Sequence, residues 1–465
     1  MTRPPLSMNA PAAPPSEPRG VADRDMLDSE LPAGRRSRVL IVGGGAGGLA
    51  LAIRLARQYR HRPLSPELIL ADATLTHVWK PTLHEIAAGT AALEGPGTDF
   101  LMLARRHGFA FHLGRLERLD RARRQAWFAP LEDATGAEIA PRRTIVYDLL
   151  VLALGSVVND FGTPGVGQHA IALDGPADAQ RLHQRLLAEC VRAEVQGAGP
   201  VSIVVVGGGA TGVELAAELD GALSSVARFG RHLRQLERPA HITLVESGPR
   251  LLAALPEAVA ERARFELEQR GIAVCLQRRA VEIGPRHVML DDGRILDSTL
   301  TVWAAGVLGP ALTPALDGLA TNAARQILVT AGLQSISDPR IYAMGDCAAP
   351  AAADKPWPPR AQLAQQQATY LALALDARLH GEVMPQPFVF RDRGSLVTLG
   401  GRRAVGLLLP RRPGLGLRLH GWSAMLAYAT LHWRHLAVLH GIPAALATLL
   451  GRWLLKRSQP SVKLH

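Results

Sequence analysis

The chain has 465 residues, which is too long for one ordinary hydrophobic core and predicts two or three domains. Its 48% hydrophobic residues and 45 glycines are typical of an α/β protein with many turns. The three cysteines, Cys190, Cys275 and Cys347, form no closely spaced pair. This spacing excludes a disulfide framework and a dithiol redox relay, and it favours a reducing compartment.

The formal net charge of +11 is concentrated in the C-terminal part of the chain. From Arg393 to His465 there are 11 lysines and arginines and no acidic residue, and the other 41 basic residues balance the 41 acids. Such a patch suits nucleic acid, an anionic membrane or a merely soluble basic surface. The charge count alone leaves these three interpretations open.

The N-terminal residues 1–36 contain seven prolines interspersed with alanine and charged residues, which predicts a disordered extension. No apolar run follows Arg3, so the extension is not a secretory signal. We therefore expect the folded part of the chain to begin at about residue 37.

The first folded element is an apolar strand leading into a glycine-rich turn, Arg38-Val-Leu-Ile-Val-Gly-Gly-Gly-Ala-Gly-Gly48. Gly43, Gly45 and Gly48 allow a tight turn, close approach of a pyrophosphate and close packing of the next helix. The N-terminus of that helix then faces the phosphates. A second strand ends in Asp72, near the interval of ~20 residues at which an acid binds ribose hydroxyls. The pattern predicts a dinucleotide site, although a single copy also occurs in structural turns.

A second copy of the pattern, Ser202-Ile-Val-Val-Val-Gly-Gly-Gly-Ala-Thr-Gly212, follows a strand at 149–156 that closes the first half. Its spaced glycines are Gly207, Gly209 and Gly212. The next strand ends in Glu246, whose charge repels a ribose phosphate and predicts NADH rather than NADPH. Arg250 would weaken that preference if it faced the same site. Two copies in one chain predict two bound nucleotides.

Two later strands complete the nucleotide-binding units. Residues 299–306 close the second unit, and residues 340–346 form a strand that ends in Gly-Asp and returns the chain to the first unit. Gly155 and Gly306, which end the closing strands of the two units, are further cofactor-binding candidates. The predicted fold is α/β, with two Rossmann-like dinucleotide-binding domains, one inserted in the other.

A helix is predicted after Pro358-Pro359, and it places Gln362 and Gln366 on one face at i and i+4. Amide groups of this kind hold a carbonyl group of a ligand without charging it. An ordinary polar helix face explains the same spacing, and from spacing alone that alternative is favoured.

The tail beginning at Gly421 predicts an amphipathic helix, because apolar residues recur there at helical spacing. These residues are Trp422, Met425, Leu426, Ala429, Trp433, Leu436 and Ala437. A second apolar segment, 442–455, is shorter than the ~20 residues that span a bilayer. The basic tail therefore predicts helices lying in the interface of an anionic membrane, with packing on the core or across a dimer as the alternative.

Four stretches of the sequence closely resemble the type II NADH dehydrogenases, from about residue 37 to the C-terminus. They are His77-Val-Trp-Lys-Pro-Thr-Leu-His-Glu-Ile-Ala-Ala-Gly89, Asn159-Asp-Phe-Gly-Thr-Pro-Gly165, Tyr342-Ala-Met-Gly-Asp-Cys-Ala348 and Ala361-Gln-Leu-Ala-Gln-Gln366. The resemblance implies non-covalent FAD, NADH as the electron donor, and a membrane quinone, ubiquinone or menaquinone, as the acceptor. It also implies electron transfer without proton pumping.

The resemblance also implies roles for individual residues. Asp346, at the end of a strand and the start of a helix, would bind the ribityl hydroxyls of the flavin, and Lys80 would contact the flavin edge or the pyrophosphate. Glu214 would lie near the nicotinamide and the flavin, where it positions groups or carries protons, although the helix dipole favours an acid there in any case. Gln362 and Gln366 would form the quinone site. Gln365 stands where relatives often have another polar residue such as histidine.

The resulting expectations assign a region of the chain to each role. The predicted regions are a disordered extension (1–36), an FAD-binding domain (37–165 and 326–400, the latter with the quinone-site helix), an NADH-binding domain (166–325) and a basic amphipathic membrane-anchoring region (401–465). We expect a peripheral enzyme on the cytoplasmic face of the inner membrane, without nucleic acid or a metal site; a homodimer is left open. Removal of residues 421–465 is expected to abolish membrane attachment and to retain turnover.

Three alternatives share some of these features. A sulfide:quinone oxidoreductase has flavin, quinone and an amphipathic tail, but it needs paired redox cysteines. A soluble ferredoxin or dye reductase keeps both nucleotides but gives no reason for the glutamine pair or the basic tail. A membrane-bound nucleotide sensor without turnover uses the same glycine-rich turns as a binding module.

Overall fold

The structure is a computed structural model that describes most of the chain. The described residues are 36–447, with gaps at 63–64, 92–98, 198, 229, 231, 237–238, 353–355, 402, 413–414 and 444, together with residue 451. The predicted N-terminal extension, apart from residue 36, lies outside the described residues, as does most of the segment after residue 447.

Helices and single 3-10 turns are distributed along the whole described chain. The helices are α1 (Gly48–Tyr59), α2 (Leu83–Ala87), α3 (Phe100–His107), α4 (Val166–His169), α5 (Pro176–Gln196), α6 (Ala210–Ala227), α7 (Glu257–Gln269), α8 (Ala361–His380) and α9 (Gly421–His440). The 3-10 turns are Lys80–Thr82, Leu233–Gln235, Thr313–Ala315 and Gly345–Cys347.

The strands fall into three groups along the chain. Those before the second glycine-rich turn are β1 (Arg38–Val42), β2 (Glu67–Asp72), β3 (Ala110–Leu113), β4 (Leu116–Asp120), β5 (Gln125–Phe128), β6 (Leu131–Glu132), β7 (Glu138–Ala140), β8 (Arg143–Val146), β9 (Leu149–Leu152), β10 (Val157–Val158), β11 (Ala170–Ala172) and β12 (Val201–Val206). Those up to the return of the chain are β13 (Ala240–Glu246), β14 (Ala273–Leu276), β15 (Ala280–Ile283), β16 (His287–Leu290), β17 (Ile295–Asp297), β18 (Leu300–Trp303) and β19 (Val307–Leu308). The last are β20 (Ile327–Val329), β21 (Ile341–Ala343), β22 (Ala348–Pro350), β23 (Gly394–Thr398), β24 (Ala404–Arg412) and β25 (Leu415–His420).

The first sheet is parallel and has the strand order β21-β9-β1-β2-β3. Its central strands are continuous apolar runs that are buried on both faces, as expected for a parallel sheet covered by helices. Strand β21 comes from a late part of the chain and pairs with β9, with Ile341 opposite Leu150. Residues far apart in sequence therefore build one sheet, as the predicted return of the chain requires.

The second sheet is also parallel, with the order β11-β18-β12-β13-β14. The chain passes between the two sheets at a short antiparallel pair, in which Val157 of β10 lies opposite Leu308 of β19. Next to this crossing, the indole of Trp303 donates a hydrogen bond of 2.8 Å to the carbonyl of Asn159. In both sheets the glycine-rich turn follows the carboxyl end of a central strand, which is where open α/β sheets bind ligands.

A small antiparallel sheet, β23-β24-β25, precedes the tail helix α9. Ala424 of α9 packs with Leu396 and Ala404 of this sheet. The turn before β24 is held against α7, because Arg403 forms an ion pair of 2.5 Å with Glu266. The small sheet therefore connects α9 to the second nucleotide-binding unit.

The C-terminal end of α9 is fixed to the first unit by three basic side chains. Arg57 donates to the carbonyl of Val438 at 2.8 Å, His107 Nε2 lies 2.7 Å from the carbonyl of Leu439, and Arg106 donates to the carbonyl of His440. Basic groups stabilise the last carbonyls of a helix through hydrogen bonding and through the helix dipole. The tail helix is thus fastened to the protein at both ends.

The predicted single apolar stripe of α9 is divided between two faces. Leu436 is buried and Met425 packs against the small sheet, whereas Trp422 and Leu426 are 76% and 62% exposed. The difference arises because the small sheet, which the sequence did not reveal, covers part of the stripe. Within the described residues, no helix combines the length and the apolar character needed to cross a membrane.

Candidate active site

The first glycine-rich turn has the geometry that its spacing predicts. Gly43 has a φ of +105°, and a Cβ on Gly48 would lie 1.9 Å from the carbonyl oxygen of Gly43, so neither position accepts a side chain. Gly45, in contrast, has no atom within 4 Å of its missing Cβ. The turn is therefore closed on its protein side and open where a pyrophosphate would approach the backbone.

Asp72 lies at the end of β2 and stabilises this turn directly. One carboxylate oxygen accepts the backbone N–H of Gly44 at 2.7 Å, and the other accepts two hydrogen bonds from Thr74. His77 holds the opposite side of the same peptide, since its Nδ1 lies 2.9 Å from the carbonyl oxygen of Gly44. Burial lowers the pKa of His77 and keeps it neutral at pH 7. Sequence reasoning missed this histidine, although the stretch that contains it carried the resemblance.

The second glycine-rich turn repeats the arrangement. Gly207 has a φ of +114°, a Cβ on Gly212 would lie 1.9 Å from the carbonyl oxygen of Gly207, and Gly209 is open. Glu246 accepts the backbone N–H of Gly208 at 2.6 Å through Oε2 and that of Gly248 at 2.6 Å through Oε1. Its carboxylate is therefore fixed at the edge of the turn.

Arg250 does not neutralise this acid. Its guanidinium donates to the backbone carbonyls of Leu255 at 2.6 Å and Ala253 at 2.9 Å. Neither of these hydrogen bonds of the guanidinium involves Glu246. The predicted weakening of the NADH preference by Arg250 has no support in this geometry.

Asp346 lies in the turn that follows β21 of the first sheet. Ser156 donates its hydroxyl to Asp346 Oδ2 at 2.9 Å. Burial raises the pKa of Asp346, while the hydrogen bond from Ser156 and the charge of Lys80 act in the opposite direction. The predicted helix start at Asp346 is wrong: the residue lies in a single 3-10 turn, and the chain continues into β22. The pairing of β22 with β20 ends the turn, and the long helix begins only at Ala361.

Lys80 and Gly155 lie near Asp346, because Ser156, the neighbour of Gly155, contacts both Lys80 and Asp346. The Lys80 ammonium group is 3.3 Å from Asp174 and 3.4 Å from the carbonyl oxygen of Ser156, and its side chain is about half exposed. Gly155 has a φ of +71° and open space at its missing Cβ. In the second unit, Gly306 has a φ of +65°, and a Cβ there would meet the ring of Phe161.

Gln362 and Gln366 lie on one face of α8, as their spacing predicts, with Gln366 Nε2 3.4 Å from Gln362 Oε1. Both amides are also hydrogen-bonded to the backbone that leads into β23. Gln362 bonds to Arg393 and Gly394 at 2.8 and 3.1 Å, and Gln366 bonds twice to Arg391 at 2.8 and 3.0 Å. The pair therefore holds residues 391–394, whatever else it binds.

Gln367 is a buried amide that sequence reasoning missed. It is 0% exposed, and its Oε1 accepts the backbone N–H of Gly345 at 2.7 Å. Its Nε2 has no hydrogen-bond partner among the described residues. The available signal was its position, because helical spacing places Gln367 on the apolar face of α8 with Leu363 and Ala364. A buried donor beside the Asp346 turn fits a polar group supplied by a bound flavin.

Glu214 is the fifth residue of α6, just beyond its first turn, and is 7% exposed. Thr398 of β23 donates its backbone N–H to Glu214 Oε1 at 2.9 Å, and His84 Nδ1 of α2 lies 3.5 Å from Glu214 Oε2. Burial raises the pKa of Glu214 to about 8, and burial lowers the pKa of His84 to about 4. At pH 7 the contact is therefore between a protonated carboxyl and a neutral imidazole. His84 and Thr398 were not predicted as site residues.

These residues fit FAD at the first turn and a second dinucleotide at the other. The open glycine backbone, the acids at the strand ends, the buried Asp346 and the unsatisfied amide of Gln367 match the polar groups of the two ligands. Among the described residues, no group of three or more His, Cys, Asp or Glu side chains is placed to hold a metal ion. The three cysteines are free, with Cys190 and Cys347 buried.

Comparison with known proteins gives the family. The model of the pyridine nucleotide-disulphide oxidoreductase family matches residues 37–368. The type II NADH:quinone oxidoreductase of Haemophilus influenzae is 36% identical over 445 residues, which cover 92% of this chain and 99% of that protein. The enzyme of the same name from Staphylococcus aureus strain NCTC 8325 is 27% identical over 383 residues, covering 80% of this chain and 90% of that protein.

Solved structures agree at the level of the fold. NDH2 from Plasmodium falciparum in complex with NADH has a TM-score of 0.75 at 18% identity, over 90% of this chain and 98% of that chain. The sulfide:quinone oxidoreductase of Aquifex aeolicus has a TM-score of 0.68 at 18% identity, over 87% of this chain and 92% of that chain. Fold alone does not separate these two activities. The full-length 36% relative does, and the chain belongs to the type II NADH:quinone oxidoreductases within the pyridine nucleotide-disulphide oxidoreductase family.

Proposed function

We propose that this protein is a peripheral membrane flavoenzyme that oxidises NADH and reduces ubiquinone or menaquinone without pumping protons. The observation that carries the proposal is the pair of open glycine turns, each with its own acid, in a chain that matches a type II NADH:quinone oxidoreductase over nearly its whole length. When bound, FAD accepts a hydride from NADH and passes two electrons to the quinone. The protein binds and aligns the partners and controls the protons.

The first unit supplies the FAD site. The backbone around Gly45 receives the pyrophosphate at the N-terminus of α1, and Asp72 binds ribose hydroxyls. Asp346 accepts hydrogen bonds from the ribityl hydroxyls, and Lys80 supplies positive charge near it. The remaining backbone contacts come from Gly43, Gly48 and Gly155.

The second unit supplies the NADH site. The open backbone at Gly209 receives the pyrophosphate, and Glu246 binds the adenine ribose and disfavours a phosphate there. The remaining backbone contacts to NADH come from Gly207, Gly212 and Gly306. Glu214 is a buried acid of α6, the helix that follows the second glycine-rich turn. In this proposal it lies near the nicotinamide and is the candidate for proton transfer.

The quinone site is proposed at Gln362 and Gln366. The amides face the segment 391–394, and a quinone carbonyl would exchange with one of these backbone contacts. Such an exchange replaces one hydrogen bond by another, so it is compatible with a small net cost. It also makes the segment before β23 responsive to quinone binding.

The tail is proposed as the membrane-contacting part. Trp422 and Leu426 are exposed one helical turn apart on α9, and Arg418 is exposed on β25, the strand that precedes the helix. An apolar helix face with adjacent positive charge suits an anionic leaflet, here the cytoplasmic face of the inner membrane. The proposed domains are FAD binding (37–165 and 326–400), NADH binding (166–325) and membrane anchoring (401–465).

The test is steady-state oxidation of NADH by the purified full-length protein with a short-chain quinone. We expect a yellow protein that contains FAD, oxidises NADH and requires the quinone for turnover. A colourless protein that takes up no FAD and leaves the NADH absorbance unchanged would refute the proposal. Sedimentation of the detergent-solubilised protein tests the homodimer that the sequence leaves open.

The same assay separates the alternatives. Turnover with sulfide in place of NADH would indicate a sulfide:quinone oxidoreductase, which the free cysteines on separate elements oppose. Turnover only with ferredoxin or a dye would indicate a soluble-acceptor reductase. Binding of both nucleotides without turnover would indicate a sensor.

A further inference from the structure

The loop 159–165, between β10 and α4, joins the two nucleotide-binding units and carries an exposed aromatic side chain. Phe161 in this loop is 65% exposed, and its backbone has a φ of +53°. A bulky residue rarely adopts this left-handed region, because its side chain crowds the backbone there. Exposure of the aromatic ring and strain of the backbone both cost free energy, which indicates a function for Phe161 that the fold itself does not require.

Hydrogen bonds on both sides fix the conformation of Phe161. Asn159 Oδ1 accepts the backbone N–H of Phe161 at 2.9 Å, and Asp160 Oδ1 accepts that of Gly162 at 2.9 Å. Asparagine and aspartate side chains commonly stabilise turns in this way. The carbonyl of Asn159 in turn accepts the indole N–H of Trp303, the last residue of β18, at 2.8 Å. The loop therefore holds the strained residue against the end of β18.

The ring of Phe161 lies directly on Gly306, which follows β18. A Cβ on Gly306 would be 2.5 Å from Cζ and 2.8 Å from Cε2 of the phenyl ring, so the tip of the ring contacts the glycine itself. The backbone N–H of Asn159 also donates to the carbonyl of Gly306 at 3.3 Å. Because Phe161 remains 65% exposed, much of its ring surface stays open to a ligand bound at Gly306.

Gly306 lies close to the second glycine-rich turn. A Cβ on Gly207 would be 2.7 Å from the carbonyl oxygen of Ala304 and 2.8 Å from the nitrogen of Ala305. Residues 304–305 therefore pass in contact with the turn that is proposed to receive the pyrophosphate. Gly306 is the next residue along this segment, and Phe161 covers it.

The strand order indicates which half of the nucleotide comes to Gly306. Strand β12 lies between β13 and β18, and the dinucleotide is expected to bind across the carboxyl ends of these strands. Glu246, at the end of β13, is the proposed partner of the adenine ribose. The other half of the nucleotide therefore extends towards the end of β18, where Gly306 and Phe161 lie.

We propose that the ring of Phe161 packs against the nicotinamide ring of bound NADH and holds it in position for hydride transfer. The proposal rests on the NADH oxidation proposed above and adds a residue to its nicotinamide site. An aromatic ring offers a flat apolar surface, and stacking on a planar heterocycle is favourable without any charge. Because the loop is fixed between the two units, the contact also places the nicotinamide relative to the FAD-binding unit.

The test compares the affinities for NAD⁺ and for ADP-ribose, which lacks the nicotinamide ring but keeps the adenine, the riboses and the pyrophosphate. Titration calorimetry of the purified full-length protein with FAD gives both dissociation constants. In Phe161→Ala we expect the Kd for NAD⁺ to rise about tenfold, the scale for removal of one aromatic stacking contact, and the Kd for ADP-ribose to stay unchanged. The kcat/KM for NADH should fall by a similar factor with quinone and with ferricyanide, because both acceptors depend on the same oxidation of NADH.

Further variants separate the ring of Phe161 from its backbone. Phe161→Tyr keeps an aromatic ring and should retain the affinity for NAD⁺. Phe161→Gly removes the ring and also relieves the strained φ, so its thermal midpoint should exceed that of Phe161→Ala while its affinity for NAD⁺ stays low. The matched control is Phe265→Ala on α7, which removes a phenylalanine that is 50% exposed in the same unit and should change neither dissociation constant.

The outcomes separate two failures. An unaltered protein that oxidises no NADH refutes the proposed function. If the unaltered protein oxidises NADH, two results refute the role of Phe161 alone. One is a Phe161→Ala protein whose affinities for NAD⁺ and ADP-ribose fall equally or not at all, and the other is recovery of NAD⁺ affinity in Phe161→Gly.

Discussion

The charge of Glu246 is expected to set the preference for NADH over NADPH. Both of its carboxylate oxygens are held by backbone N–H groups at 2.6 Å, so the charge cannot move away from the ribose side of the turn. The guanidinium of Arg250 is occupied by backbone carbonyls and leaves this charge uncompensated. A ribose phosphate bound here would face the carboxylate directly.

Glu246→Gln removes the repulsion between the carboxylate and the ribose phosphate of NADPH. The resulting change in nucleotide preference measures that repulsion. Two unit charges about 4 Å apart near a protein surface interact by about 4 kcal/mol, which corresponds to about three powers of ten in kcat/KM. The amide also places an NH2 group against one of the two backbone N–H donors, and the lost hydrogen bond costs about 1–3 kcal/mol. We therefore expect kcat/KM for NADH to fall about tenfold or more, and the NADH to NADPH ratio to fall about 1000-fold.

The assay is kcat/KM for both nucleotides with a short-chain quinone. Arg250→Gln is the matched control, since its guanidinium contacts only the loop backbone in the described residues, and we expect its nucleotide ratio to stay unchanged. A Glu246→Gln protein that retains the original ratio would show that the carboxylate does not face the ribose, and the assignment of the second turn would fail.

The glycine turns, the buried amide and the exposed tail give further predictions. Gly48→Ala puts a Cβ 1.9 Å from a carbonyl oxygen and should prevent the protein from folding with FAD bound. In Gly45→Ala the new Cβ meets no atom within 4 Å, so the protein should fold but retain FAD less well. The ratio of flavin to protein absorbance checks both variants. Gln367→Leu leaves a buried N–H without its acceptor, which costs about 1–3 kcal/mol, so the thermal midpoint should fall and FAD should dissociate faster, as followed by flavin fluorescence. Replacing Trp422 and Leu426 by serine removes about 1.5–3 kcal/mol of favourable apolar burial in the membrane per side chain. Sedimentation of the protein with anionic vesicles should therefore decrease more than tenfold, while quinone turnover in detergent is kept. Unchanged sedimentation would show that other residues attach the protein to the membrane.

The strand, turn and helix units around the glycines were predictable because their requirements are local. A positive φ at Gly43 and the close approach at Gly48 involve residues within one turn of the chain, and the acid at the end of the next strand follows from the crossover length. Asp346 shows the limit of such rules. Its sequence context resembles a helix start, but pairing of β22 with β20 ends the turn after three residues.

The environment of Glu214 was not predictable because its partners are distant in sequence. Thr398 is 184 residues away and comes from a strand that has no local signal for contacting α6. His84 lies in a stretch that carried the resemblance, yet its burial against Glu214 depends on the packing of α2 against α5 and α6. Gln367 was visible in the sequence as a polar residue in an apolar stripe. Only the fold shows that its Oε1 accepts the backbone N–H of Gly345, in the turn that contains Asp346.

The structure also changes the expectation for removal of the tail. The sequence predicted that loss of residues 421–465 would abolish attachment and retain turnover, as if the tail were detachable. Ala424 instead packs in a buried cluster with the small sheet, and the end of α9 receives donors from two helices of the first unit. The buried hydroxyl of Tyr428 also lies close enough to Glu214 for the charge of that acid to raise the pKa of the tyrosine. Truncation should therefore expose apolar surface and lower both the stability of the protein and its quinone turnover. Serine at Trp422 and Leu426, in contrast, should affect membrane attachment alone. A truncated protein with full quinone turnover would show that α9 contributes nothing to the active site.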